Sequence, residues 1–182
     1  MAAMGLALSA CSSNVAIPPL PAHSPLFPTI DVHVGLSIPE SARTYVHDLD
    51  PSTSHIWSVH FGEHVSGRVR MFSRAMFRDV TDLPNVPPWR EAAPGVDAIL
   101  ELVSVSATGP VDYFFLDLEV CLYRPDASEI ACWAESATDY VSDIPSERVE
   151  EAVREVLAKL LVNISKDERL QQWAATLPRK SF

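Results

Sequence analysis

His60-Phe-Gly-Glu63-His64 spells H-x-x-E-H. On one helix, two imidazoles four residues apart share a face and hold zinc, while the carboxylate beside them activates a water for hydrolysis. Here Gly62 interrupts the pattern, and the change from strand to helix is expected inside it. His60 and His64 are therefore weak metal candidates, against a plain helix entry with exposed imidazoles and Glu63 near the positive end of the helix dipole. Cys121 and Cys132 offer different chemistry. If Pro125 to Ser128 form a hairpin loop, the two cysteines lie directly opposite each other, at a spacing a disulfide spans. An oxidising compartment closes that bond, and a reducing one leaves two small hydrophobes. Without a CxxC spacing the pair reads as structural. Arg70, Arg74 and Arg78, four apart, make a basic ridge if their segment is helical. That ridge is a docking surface for an acidic partner or an anionic headgroup, or a solvated face that offsets acid elsewhere. Asp117 and Glu119, at i and i+2, share a strand face. Paired carboxylates do acid–base work only in a cleft that shifts a pKa; on a wet sheet they serve solubility. There is no G-x-S-x-G elbow, and six glycines leave little material for a phosphate cradle. No catalytic site and no cofactor are expected.

The elements that must position these groups follow from periodicity. Ile30, Val32, Val34, Leu36 and Ile38 alternate with Asp31, His33, Gly35 and Ser37, a half-buried strand ended by Pro39. A polar loop with Asp48 and Asp50 leads to a short strand from His55 to His60. Val65, Val69, Phe72, Met76 and Val80 form one apolar stripe, so a helix is expected over 62–80, with the three arginines opposite. A proline-rich connector then leads to three strands, about 96–107, 111–124 and 129–141, turned at Gly109-Pro110 and at Pro125 to Ser128. In the middle strand Phe114, Leu116, Leu118, Val120 and Leu122 face the core, opposite Asp117, Glu119 and Cys121. Ser146 is the expected N-cap of a last helix whose stripe is Val149, Val153, Val156, Leu160 and Ile164. The expected fold is α+β: an antiparallel-rich sheet of four to five strands with two helices packed on one face.

The chain has 182 residues, 47% of them apolar and 21% charged, enough for one domain with its own core. Its 24 acids against 14 bases give −10, so phosphate backbones are repelled and no nucleic-acid partner is expected. Residues 81–145 hold 12 of the acids and only two bases, Arg90 and Arg124. No stretch reaches the roughly 18 to 20 apolar residues of a bilayer-spanning helix. No residue before Asp31 is charged, and residues 12–28 carry prolines at 18, 19, 21, 25 and 28, a semi-rigid spacer of polyproline II type.

Leu8-Ser9-Ala10-Cys11 resembles the lipobox of bacterial lipoproteins, an apolar residue and two small ones before a cysteine. The resemblance implies a signal peptide over 1–10, cleavage before Cys11, and acylation of its thiol and new amine. Such an acyl anchor, at about 0.8 kcal/mol per buried methylene, does not readily leave a membrane. Residues 11–28 are then the lipidated cysteine and its tether, and 29–182 one domain. Ser12 after the cysteine implies the outer membrane in proteobacterial lipoproteins. Only ten residues precede Cys11 and none is basic. An upstream start, or a cytosolic chain with a chance cysteine, are the readings left open beside it.

Lipobox, spacer and element order together resemble small proteobacterial outer-membrane lipoproteins, among them the lipopolysaccharide-assembly lipoprotein and the auxiliary lipoproteins of lipid-transport ABC systems. The likeness is one of architecture, residue-level only at Leu8 to Cys11. It implies a non-enzymatic, lipid-anchored protein facing the periplasm that acts through an envelope protein or glycolipid. The alternatives are a periplasmic metal-dependent hydrolase using His60, Glu63 and His64, and a soluble small-ligand binder with an apolar pocket under Phe72 and Met76.

Overall fold

The computed structural model describes residues 29–49, 57–84, 95–109, 113–140 and 145–178. Strand β1 (Ile30–Ser37) begins where the alternation begins. Its Ile30, Val32, Val34 and Leu36 are at most 7% exposed. A short helix α1 (Glu40–Arg43) follows, then β2 (His47–Leu49) and β3 (Trp57–Val59), which pair as a separate antiparallel ribbon. Helix α2 (Phe61–Met76) buries Val65, Val69, Phe72 and Met76 as the stripe requires. It leads without a loop into β4 (Phe77–Asp82). Three long strands, β5 (Ala98–Thr108), β6 (Tyr113–Tyr123) and β7 (Glu129–Tyr140), complete the main sheet. Helices α3 (Pro145–Lys166) and α4 (Glu168–Thr176) close the described chain.

The main sheet runs β4-β1-β5-β6-β7. β1 pairs parallel with both β4 and β5, whereas β5-β6-β7 is an antiparallel meander. The sheet is therefore evenly mixed, a correction to the antiparallel-rich expectation. The β1–β4 pair follows from the α2 crossover, which returns the chain alongside β1 in the same direction; the β1–β5 pair follows from β5 entering on the other side of β1, parallel to it. Helices α2 and α3 cover one face as expected. The two unforeseen helices are small. α1 packs beside α2, and α4 touches β7 and β1.

Three local expectations change. The helix over 62–80 ends at Met76, because Phe77 turns to extended backbone, pairs with Ile30 and enters the core at 1% exposure. Continued as helix, the chain would carry Phe77 off the apolar stripe and leave β1 without an edge partner. Val80 and Thr81 are β-branched and suit that strand. Helix α3 begins at Pro145, one residue ahead of the expected N-cap position Ser146, and proline favours a first turn. The β6–β7 turn is also shorter than expected. Arg124 N–H donates to Ser128 O (2.8 Å) and Ala127, at φ 67°, donates to Arg124 O (2.8 Å), so Pro125 to Ala127 form the loop. Tyr123 then pairs with Glu129 but Leu122 with Ala131. The bulge at Ile130 restores the register that sets Cys121 against Cys132.

One continuous core lies between the helices and the sheet, from Ile30 through Leu118 to Ile164. On the other face a small cluster of described residues, Leu83, Val96 and Ile99, lies beside Gly35. Among the described residues, no helix packs on the rest of that face.

Candidate functional site

The H-x-x-E-H sequence is not assembled as a metal site. His60 has φ −83° and ψ 65° and sits ahead of α2, which starts at Phe61. The two imidazoles therefore do not share a helix face. Gly62 explains the entry: its N–H donates to Tyr45 O (2.9 Å), and a Cβ there would collide with the backbone carbonyls of Ala42 and Arg43. His64 is half-buried, and burial holds its pKa below the usual 6.5, with His60 and Arg68 lowering it and Glu63 and Glu150 opposing. The unfolded chain thus takes up this proton more readily than the fold does. The contribution to stability is complete above pH 6.5 and falls away as the pH drops through 6.5 toward the lowered folded value. Melting temperatures followed from pH 7.5 to 5 should fall less steeply in His64→Gln than in the parent chain. Identical slopes would refute the assignment.

The arginine ridge is redistributed. Arg70 Nε and Arg74 Nη2 both reach Asp82, at 2.9 and 3.1 Å. Arg78 lies on β4 instead of α2 and pairs with Asp31 at 2.6 Å. A strand cannot continue a helical ridge, and the carboxylates of β4 and β1 offset its charge. The cation that sequence reasoning missed is Arg68. It is 7% exposed and its Nη2 meets Glu150 Oε1 at 3.1 Å, joining α2 to α3. The signal was present: Arg68 stands three residues after Val65 and four before Phe72, inside the apolar stripe. Trp133 Nε1 similarly donates to Asp167 Oδ2 (2.9 Å), which also caps α4 through the N–H groups of Arg169 and Leu170.

The face of the sheet turned away from α2 and α3 gathers the remaining candidates. Cys121 and Cys132 are directly paired, with Cα atoms 4.1 Å apart and sulfurs bonded, the close spacing of a non-hydrogen-bonded antiparallel pair. Glu119 lies beside them, within 4.8 Å of both sulfurs, but the bond occupies those sulfurs. The cross-link spans a sequence separation of 11, so reducing it, or substituting both cysteines by serine, should cost about 2 to 3 kcal/mol. Urea unfolding with and without a phosphine reductant checks this, and an unchanged midpoint would contradict it.

Along β6, Asp117 and Glu119 follow Tyr113 and Phe115 on this same face. Asp117 accepts from Ser136 Oγ (2.6 Å). Tyr113 and Phe115 meet edge to face with centroids 5.3 Å apart, and Phe115 is 37% exposed. Ser104, Asp117, Glu119, Ala134 and Ser136 line a shallow depression of about 470 Å³. Burial raises the Glu101 carboxyl above its usual range. The Tyr123 hydroxyl is raised by burial and then by Glu101, Glu129 and Glu119. Both carboxylates expected to share a strand face do so, in an open trough.

No protein-family model and no curated protein matches this chain. Among solved structures, a Xanthomonas campestris protein of the DUF330 family superposes with a TM-score of 0.52 at 12% identity, covering 85% of this chain and 93% of that one. The two share a fold. A minor lipoprotein from Acinetobacter baumannii aligns at a TM-score of 0.39 and 9% identity over 81% and 94% of the two chains. A lipoprotein from Neisseria meningitidis aligns at 0.37 and 11% over 70% and 97%. Cys11, the signal expected before it and the tether expected after it lie outside the described residues. No described helix is long and apolar enough to cross a membrane. Phe72 and Met76, where an apolar ligand pocket was expected, are 3% and 2% exposed within the packed core.

Proposed function

We propose that this protein is a lipid-anchored accessory protein of a bacterial envelope, held at an acylated Cys11 and acting through contacts with an envelope protein or glycolipid without catalysis. The observation that carries the reading is the Cys121–Cys132 pair. Two cysteines set 4.1 Å apart at Cα across adjacent strands suit an oxidising compartment such as the periplasm. The Leu8 to Cys11 lipobox and its proline spacer supply a means of staying there. The lipoprotein names of the Acinetobacter and Neisseria structures agree with this address. The outer membrane is the proposed location, from Ser12.

The test is metabolic labelling with an alkyne palmitate in a host carrying lipoprotein-processing enzymes, with membrane fractionation. The parent chain should take up label and sediment with membranes, and Cys11→Ser should do neither. An unlabelled, freely soluble parent chain would sink the reading.

A further inference from the structure

We propose that the face of the meander turned away from α2 and α3, around Asp117, Glu119 and Phe115, is a docking surface for a lysine- and arginine-bearing segment of a protein partner. This deepens the accessory reading and rests on it, moving the contact from the arginine-bearing helix to the opposite side of the sheet.

Charge carries the argument first. Among the described residues, neither Asp117 nor Glu119 nor Glu101 meets a lysine or arginine, whereas the arginines of α2 and β4 are all engaged by carboxylates. The arginines of α2 and β4 are thus balanced within the domain, whereas the carboxylates of this face meet no described cation. The Tyr123 hydroxyl is raised first by burial and then by Glu101, Glu129 and Glu119, which lie around this face. A cationic partner gains there without displacing a resident ion pair, and an anionic headgroup is repelled.

Shape and apolar content agree. The depression of about 470 Å³ runs between β5, β6 and β7 with small residues, Ser104, Ala134 and Ser136, beside the carboxylates. Phe115, 37% exposed, and the half-buried Tyr113 against it lie farther along β6 on the same face. Lysine and arginine can lay their methylene stems, or a guanidinium plane, on such rings while the charged end reaches a carboxylate. The antiparallel meander is braced by the Cys121–Cys132 bond, so the surface is rigid before the partner arrives.

The experiment uses fluorescence anisotropy with a labelled peptide of three Lys-Leu-Arg-Tyr repeats, and one of three Glu-Leu-Glu-Tyr repeats as its opposite. The disulfide-intact protein should bind the basic peptide, more weakly as NaCl is raised, and ignore the acidic one. Asp117→Asn with Glu119→Gln should weaken binding at least about five-fold at low salt. Glu151→Gln with Glu155→Gln removes the same charge from exposed positions on α3 and should change it less than about two-fold. Equal losses in the two double variants, or equal binding of both peptides, would overturn the proposal. So would self-association through this face in sedimentation, or retention by phosphatidylglycerol vesicles in place of the basic peptide. The lipid-labelling result at Cys11 is independent of all of these, so failure here leaves the anchor reading standing or falling by its own measurement.

Discussion

Arg68→Ala is expected to lower the free energy of unfolding by about 3 kcal/mol, toward the lower part of the range for breaking a buried ion pair. The guanidinium side chain is 8% exposed and the Glu150 carboxylate 19%. Removing the arginine leaves a largely desolvated carboxylate between α2 and α3. Arg154, 3.4 Å from the same Glu150 oxygen but 63% exposed, compensates only in part. The pair itself need not be a net source of stability, because its desolvation offsets much of its attraction. Arg68→Met with Glu150→Leu should therefore recover most of the loss, by replacing two paired charges with apolar volume. Urea unfolding of the parent, both single variants and the double variant measures this. A loss below about 1 kcal/mol in Arg68→Ala would mean that water reaches Glu150.

Phe61→Ala should cost about 3 to 5 kcal/mol. Phe61 is fully buried and stands at the first position of α2, with its ring tilted 56° against Phe114 on β6 at a centroid distance of 5.6 Å. That contact ties the helix entry to the middle of the meander. The entry cannot shift to fill the cavity, since the Gly62 backbone is pressed against the α1 loop. A double-mutant cycle with Phe114→Ala should show about 0.5 to 1.5 kcal/mol of coupling between the rings. Additive losses would mean that the two side chains pack independently.

The legible parts of the fold share one property: a single apolar face with a regular period. β1, β6 and α3 each show theirs, and the residues named for those faces are buried. Where two periods coincide, reading fails. Val80 lies four residues beyond Met76, which suits a helix, yet β1 needed a hydrogen-bonding partner and Phe77 needed the core, so the segment became β4. Parallel pairing was invisible for a related reason. Whether α2 returns the chain to the same side of β1 depends on crossover geometry, which leaves no mark on side-chain alternation. Cys121 and Cys132 were matched correctly even though their turn was not. The three-residue loop and the bulge at Ile130 shift the count in opposite directions, and that cancellation owes nothing to the turn residues that suggested the pairing.

The sequence alone determined which residues could be buried, which strand faces carry acid, the opposition of the two cysteines, and the uncharged, proline-rich lead before Asp31. Each depends on the identity and spacing of residues a few positions apart. Only the tertiary structure decided which charges survive as surface charge. Asp82 draws in Arg70 and Arg74, and Asp31 takes Arg78, because β4 lies beside β1 and under α2. Among the described residues Asp117 and Glu119 have no such neighbours, because the strands flanking β6 present serine and alanine there. Coulomb attraction acts across space rather than along the chain. A run of arginines therefore became a neutralised flank, and two carboxylates read as solubilising became half-buried acidic groups on the face of the meander turned away from α2 and α3.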